Sequence, residues 1–126
     1  MRAQVERRPL EEVVPVVEIR EILEARTLVK AVQVHDEVLA YAVALTEATR
    51  NHPAVSLGAS PRGSIALVRV AQARAATRAR DFVGPEDVKE LAPDTLAHRL
   101  SIRGGTSGAT AETVLGEILD SVPPPA

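Results

Sequence analysis

Ser60-Pro61-Arg62, preceded by Leu57-Gly58-Ala59 and followed by Gly63-Ser64, has the residue types of a helix start that can meet an anion. A serine hydroxyl at an N-cap accepts from the unpaired N–H groups of the first turn. A proline at the next position gives up a donor that has no use there. Arg62 then falls in the first turn, beside the positive end of the helix dipole, where a cation is slightly unfavourable for the helix itself. An arriving phosphate or carboxylate reverses that balance, because dipole and guanidinium then act on one negative charge. Taken alone, the same residues also describe a capped helix with a solvated arginine.

Other chemistry is sparse. His35, His52 and His98 form no i, i+4 pair and no His-Glu-x-x-His, so they read as solvent-facing or capping histidines and not as zinc ligands. Glu11-Glu12 and Glu86-Asp87 fall in an N-terminal linker and at a helix start, where solvation and dipole pairing account for them. There is no Gly-x-Ser-x-Gly elbow. Arg103-Gly104-Gly105-Thr106-Ser107-Gly108 lacks the lysine of a phosphate-binding loop and reads as a flexible connection. The chain has no cysteine, which excludes disulfides, thiolates and Cys-based metal sites.

The elements that must position these residues follow from composition and periodicity. At 126 residues, with 45% hydrophobic and 25% charged content, the chain suits one globular domain. Tyr41 and Phe82 are its only aromatic residues, so the core must be built from Ala, Val, Leu and Ile, which favours closely packed helices over a β-sandwich. A net charge of −2 gives no footprint for nucleic acid. No apolar run is long enough to span a bilayer and no signal-peptide core is visible, so a cytoplasmic protein without membrane contact is the expectation.

Pro9 and Pro15 mark residues 1–16 as an extended linker, residues 17–122 as the helical domain, and Pro123-Pro124-Pro125 opens a tail over 123–126. Ile19, Ile22, Leu23, Arg26 and Val29 recur at helical spacing. A second helix opens at Asp36, as N-cap or first-turn acid, and buries Val38, Tyr41, Ala42 and Leu45 before Asn51-His52-Pro53 stops it. The third runs from Pro61 to about Arg78, with Ser64, Leu67, Val68, Ala71 and Ala75 on one face and Arg69, Gln72, Ala76 and Arg80 on the other. Its alanines place it at the centre of the bundle.

Gly84-Pro85-Glu86-Asp87 opens a fourth helix, expected to break at Ala92-Pro93 and restart. Residues 101–109 read as a loop, and Thr110 caps a last helix through Val114, Leu115, Ile118 and Leu119. Ala31-Val32-Gln33-Val34 and Asp81-Phe82-Val83 are short extended pieces adequate for a small bridge. The fold class is therefore mainly α, a bundle of five to six helices with at most a short two-strand pairing.

Several segments together resemble a known family. Glu47-Ala48-Thr49-Arg50-Asn51-His52-Pro53, Leu57 to Arg62, Arg80-Asp81-Phe82-Val83 with Pro85-Glu86-Asp87-Val88-Lys89, and Leu91-Ala92-Pro93 with His98-Arg99-Leu100 are similar, in order and spacing, to the C-terminal lid of MoxR-type AAA+ ATPases. Pro9-Leu10-Glu11-Glu12-Val13 and Pro15-Val16 resemble the passage from ATPase core into lid. The resemblance implies that Arg62 is the sensor 2 arginine, reaching ATP phosphates bound in the core, with Gly58, Ala59, Ser60 and Pro61 shaping the site. Gly63 departs from the alanine common there, and Gly84 from the usual Thr or Ser cap.

No Walker A, Walker B, sensor 1 or arginine finger is present, so the chain reads as a lid without its catalytic core. It is expected to be no enzyme by itself, with ATP hydrolysis belonging to a parent that holds Mg and ATP in its core, and no cofactor held tightly by the lid. The implied partners are that core and neighbouring subunits of a ring, in chaperone-like remodelling of a client. The residues alone also leave open a stand-alone helical protein-interaction module and a helix-turn-helix nucleic-acid binder, the latter disfavoured by net charge and the Ala-rich third helix.

Overall fold

The computed structural model describes residues 12–104 and 108–126. Most of the expected linker and the centre of the glycine-rich loop lie outside these residues. The described chain forms five α-helices and one two-stranded antiparallel pairing. In order these are α1 (Ile19–Ala31), α2 (Asp36–Asn51), β1 (Val55–Leu57), α3 (Pro61–Thr77), α4 (Pro85–Leu96), a 3-10 turn (Ala97–Arg99), β2 (Ser101–Ile102) and α5 (Ala111–Ser121). The mainly α architecture is the one the alanine- and leucine-rich core demands.

Helix α3 lies at the centre, packed most extensively against α4 and then α2. Its buried face is Gly63, Leu67, Ala71 and Ala75, small residues that let neighbouring backbones approach closely. Tyr41, Ala42 and Leu45 of α2, Val88, Ala92 and Leu96 of α4, and Val114, Leu115 and Ile118 of α5 complete the core. Thr110 caps α5 as expected, its hydroxyl accepting from the Thr113 N–H at 3.2 Å.

The two short extended pieces meet in an isolated parallel bridge between Gln33 and Phe82. The Gln33 N–H donates to the Asp81 carbonyl at 2.8 Å and the Val83 N–H to the Gln33 carbonyl at 2.9 Å.

Three expectations need correction. Helix α4 does not break at Pro93 but runs through it. The amide that Pro93 lacks would have bonded the carbonyl of Lys89, an exposed residue, so water can take that carbonyl while buried Ala92 and Leu96 hold the helix to the core. Residues 101–109 are not all loop, because Ser101 and Ile102 pair with Leu57 and Val55. Of the two readings of Asp36, the first-turn acid holds, with His35 at the N-cap. Arg80 is not on the outer face of α3, since the helix ends three residues earlier.

That ending sets the α3–α4 joint. The Arg80 N–H reaches back to the Ala75 carbonyl and the Ala79 N–H to the Ala76 carbonyl, while Ala79 takes φ 55°. This is the left-handed C-terminal cap usually given to glycine, made here with an alanine. The reversal delivers Arg80 to Asp87, a fully buried residue, through contacts of 2.6 and 2.9 Å. The same carboxylate accepts from the Gly84 N–H at 3.0 Å, and Arg74 lies 3.5 Å away. Asp87 is the first-turn acid that the sequence predicts, but solvation does not account for it: it is the buried end of an ion pair.

Burial alone would raise the pKa of Asp87. The hydrogen bonds from Arg80 and Gly84, with the charges of Arg80 and Arg74, outweigh it and hold the carboxyl below its usual range. A lowered folded pKa contributes stability that is present above about pH 4 and is lost as acid carries the pH down through the folded value.

Two measurements check this joint. Ala79→Gly is expected to raise stability in urea unfolding by about 0.5–1 kcal/mol, because glycine pays no left-handed penalty. Asp87→Asn should cost about 1.5–3 kcal/mol at neutral pH, the range for a charge-assisted hydrogen bond. The gap from wild type should narrow as the pH falls below about 4.

Candidate functional site

The segment from Leu57 to Arg62 is a strand–loop–helix unit: β1 ends at Leu57, three residues turn the chain, and α3 begins at Pro61. Two close contacts fix the turn. A β-carbon added at Gly58 would lie 2.7 Å from both the Cα and the N of Arg50, so only glycine lets the loop lie against the last turn of α2. Ala59 is fully buried, and its N–H donates to the Thr49 hydroxyl at 2.9 Å. That hydroxyl in turn donates to the Thr46 carbonyl at 2.6 Å, and Thr46 to the Ala42 carbonyl at 2.9 Å. Both threonines are buried on α2.

Ser60 stands at the N-cap of α3, but its hydroxyl makes no cap bond. The Gly63 N–H, the donor a capping hydroxyl would take, goes to the Ser60 carbonyl at 2.7 Å and closes a tight main-chain turn. The Ser64 hydroxyl donates to the Pro61 carbonyl at 2.7 Å. Gly63 is buried, and a β-carbon there would come within 3.2 Å of both Ala59 Cβ and Leu96 Cδ2. The glycine that departs from the expected alanine thus sits where α3 presses on the loop and on α4.

Ser60, Pro61 and Arg62 are exposed. No ion pair joins Arg62 to a carboxylate among the described residues, although the chain carries 17 acidic residues. The structure therefore gathers the five predicted site residues on one rigid turn and leaves the arginine open.

Thr49 was quoted within the resemblance, yet its role as the post that holds Ala59 was not read from the sequence. The signal available was a threonine on the apolar face of a helix, where a hydroxyl needs a partner. The histidines do not gather. His35 occupies the N-cap position of α2 without a side-chain cap bond, His98 is exposed, and His52 links two elements: its Nδ1 accepts from the Ala54 N–H at 3.2 Å and its Nε2 lies 2.9 Å from Glu117 of α5. Among the described residues no three His, Asp or Glu side chains could together hold a metal ion. No helix there is long and apolar enough to cross a membrane.

Comparison with known proteins settles the fold's affiliation. The profile of the AAA lid domain matches residues 47–118, which include Thr49, the Gly58–Arg62 turn and Asp87. The chain belongs to the AAA lid domain family. It is 37% identical over 95 residues to chaperone MoxR1 of Mycobacterium tuberculosis, covering 68% of this chain and 24% of that one. It is 32% identical over 117 residues to protein MoxR of Methylorubrum extorquens, covering 80% and 34%. These place the lid with those of MoxR-type AAA+ ATPases.

The uncharacterized protein YeaC of Bacillus subtilis is 40% identical over 119 residues, covering 93% of this chain and 37% of that one. A crystal structure of a candidate ATPase from Cytophaga hutchinsonii superposes with a TM-score of 0.79 at 30% identity, covering 85% of this chain and 36% of that one. The lid thus spans between 24 and 37% of the length of these relatives.

The Thr49 post has a direct test. Thr49→Val keeps the shape but strands the buried Ala59 N–H, and should destabilise the lid by about 1–3 kcal/mol in thermal or urea unfolding. Thr49→Ser keeps the hydroxyl and should recover most of that loss. Equal losses in the two variants would show that packing, and not the hydrogen bond, holds the turn.

Proposed function

We propose that this lid senses nucleotide state for a MoxR-type AAA+ ATPase, with Arg62 as its sensor 2 arginine. One observation carries the reading: Arg62 is exposed and unpaired among the described residues, in the first turn of a helix whose entry is pinned by Gly58 and by the Ala59–Thr49 bond. A planar, permanently charged fork on a fixed base suits a phosphate better than a flexible ammonium does. The α3 dipole adds to its attraction for negative charge.

ATP, held with Mg by the core domain, supplies the phosphoryl group whose transfer the lid follows. This chain's own part is to present Arg62 to the phosphates, with Ser60 and Pro61 exposed beside it and Gly58 and Ala59 fixing the approach. Loss of a phosphate removes the charge that draws the guanidinium toward the core, and the lid then swings as a body. The partners on this reading are the core domain and neighbouring subunits of a ring, and the work is chaperone-like remodelling of a client protein. On this reading hydrolysis belongs to the core domain, and the lid contributes Arg62 to it.

The experiment uses a full-length ATPase carrying this lid. Arg62→Ala is expected to lower ATP turnover about 100-fold, the scale for removing one donor aimed at developing charge. The melting temperature of the lid should hold steady, because the side chain is exposed. Unchanged turnover with unchanged nucleotide-dependent assembly would remove the assignment.

A further inference from the structure

Both ring nitrogens of His52 are engaged, and the two contacts fix where its proton lies. A main-chain N–H can only donate, so Nδ1, 3.2 Å from the Ala54 nitrogen, carries no proton and accepts. The one ring proton of the neutral form then sits on Nε2, facing the Glu117 carboxylate of α5 at 2.9 Å. The side chain is 15% exposed, so little water is at hand to replace either partner. His52 also opens a turn. Its backbone is extended (φ −75°, ψ 132°), as a residue before proline prefers. Pro53 presets the second position, and the Val55 N–H closes the turn on the His52 carbonyl at 3.0 Å. An Asn or Asp side chain at the first position of such a turn takes the N–H two residues on; here Nδ1 takes it, from buried Ala54.

We propose that His52 is a proton-operated switch on this turn: the neutral ring holds the turn closed, and a second ring proton releases it while leaving α5 tied. A proton on Nδ1 sets donor against donor and deprives the buried Ala54 N–H of its acceptor. At the other nitrogen the same proton places a full positive charge opposite Glu117, which strengthens that contact. The C-terminal end of α2, where His52 stands, also favours the cation. Against it stands Arg103, whose Nε donates to the Pro53 carbonyl at 3.0 Å and whose N–H donates to the Ala54 carbonyl at 2.8 Å. Glu47 and Arg50, near the end of α2, lie 3.9 Å apart and largely cancel each other. The charged ring therefore has reason to stay with Glu117 but cannot keep its bond to Ala54.

The turn leads directly into β1, which pairs Val55 with Ile102 and runs on to the Gly58–Arg62 loop. The Arg103 bonds use the carbonyls of the turn and cannot take over its N–H. Protonation thus loosens the lead-in of β1 at the end away from Arg62, while Thr49 still holds Ala59. Because one contact of the ring is lost as the other strengthens, the response is local to the turn, and the Ala54 amide reports it.

The test is hydrogen exchange of the Ala54 amide in the 126-residue chain, followed by NMR from about pH 8 to about pH 5, the window in which histidines change charge. Protection is measured against an unstructured amide at the same pH. In the wild type it should fall about 10-fold as the pH is lowered, the scale for loss of one hydrogen bond. His52→Asn, whose side-chain oxygen takes the place of Nδ1 and does not titrate, should stay protected throughout. His52→Ala should lack that protection at both ends of the range. The amide of Ala42, deep in α2, checks that each variant stays folded. Wild-type protection that does not change with pH, or a His52→Asn chain that responds as the wild type does, would overturn the inference. So would a His52→Ala chain as protected as the wild type at neutral pH. None of these results bears on Arg62, whose test reads ATP turnover.

Discussion

The small-residue face of α3 is the constraint on which the rest of this lid depends. Gly63, Ala71 and Ala75 with Leu67 leave no room for large side chains between α3 and its neighbours, so α2 and α4 are drawn in close. Close packing of this kind gains dispersion contacts but admits no slack: a single added methyl at Gly63 must displace Ala59 or Leu96 by a few tenths of an ångström. The near-absence of aromatic residues is the other side of the same design. A core mostly of Ala, Val and Leu fills the thin gaps between helices, with Tyr41 its one buried ring.

Polar contacts lock the two ends of that central helix. At its start, the Thr49 hydroxyl holds the Ala59 N–H and ties the entry loop to α2. At its end, the left-handed turn at Ala79 swings Arg80 onto Asp87 and ties the exit to α4. Both locks bury polar groups that must remain satisfied, which makes them costly to disturb and specific in the geometry they permit. Between the locks the apolar seam supplies the bulk of the stabilisation and the polar ends supply the register.

The helices were legible in the sequence because their signals are local. Pro61 and Pro85 at first helical positions, Thr110 at a cap and the i, i+3, i+4 recurrence of Val38, Tyr41, Ala42 and Leu45 each act within a few residues. What stayed hidden depends on partners distant in the chain. Ser101 and Ile102 form a strand only because Val55 and Leu57 lie alongside, and Pro93 is tolerated only because Ala92 and Leu96 are held by a core that periodicity cannot weigh. Asp87 looked like any first-turn acid until the turn at Ala79 brought Arg80 across. The site residues were legible from Gly58 to Arg62 as a pattern. The detail of Ser60 was not, since a carbonyl and a hydroxyl at one position compete for the same Gly63 N–H and sequence does not say which wins.

Arg62 gains meaning from this rigidity. Its α-carbon lies one residue past a proline and one residue before a buried glycine, on a turn pressed against Arg50 and bonded to Thr49. The base of the side chain therefore cannot shift without α2, α3 and the loop shifting too. Leu96 against Gly63 near the start of α3, and Asp87 against Arg80 beyond its end, join α3 to α4. On the proposed reading, that stiffness is what turns a change at a phosphate into movement of a whole domain. An arginine on a mobile segment could bind the same charge, yet the work of binding would be spent in ordering the segment.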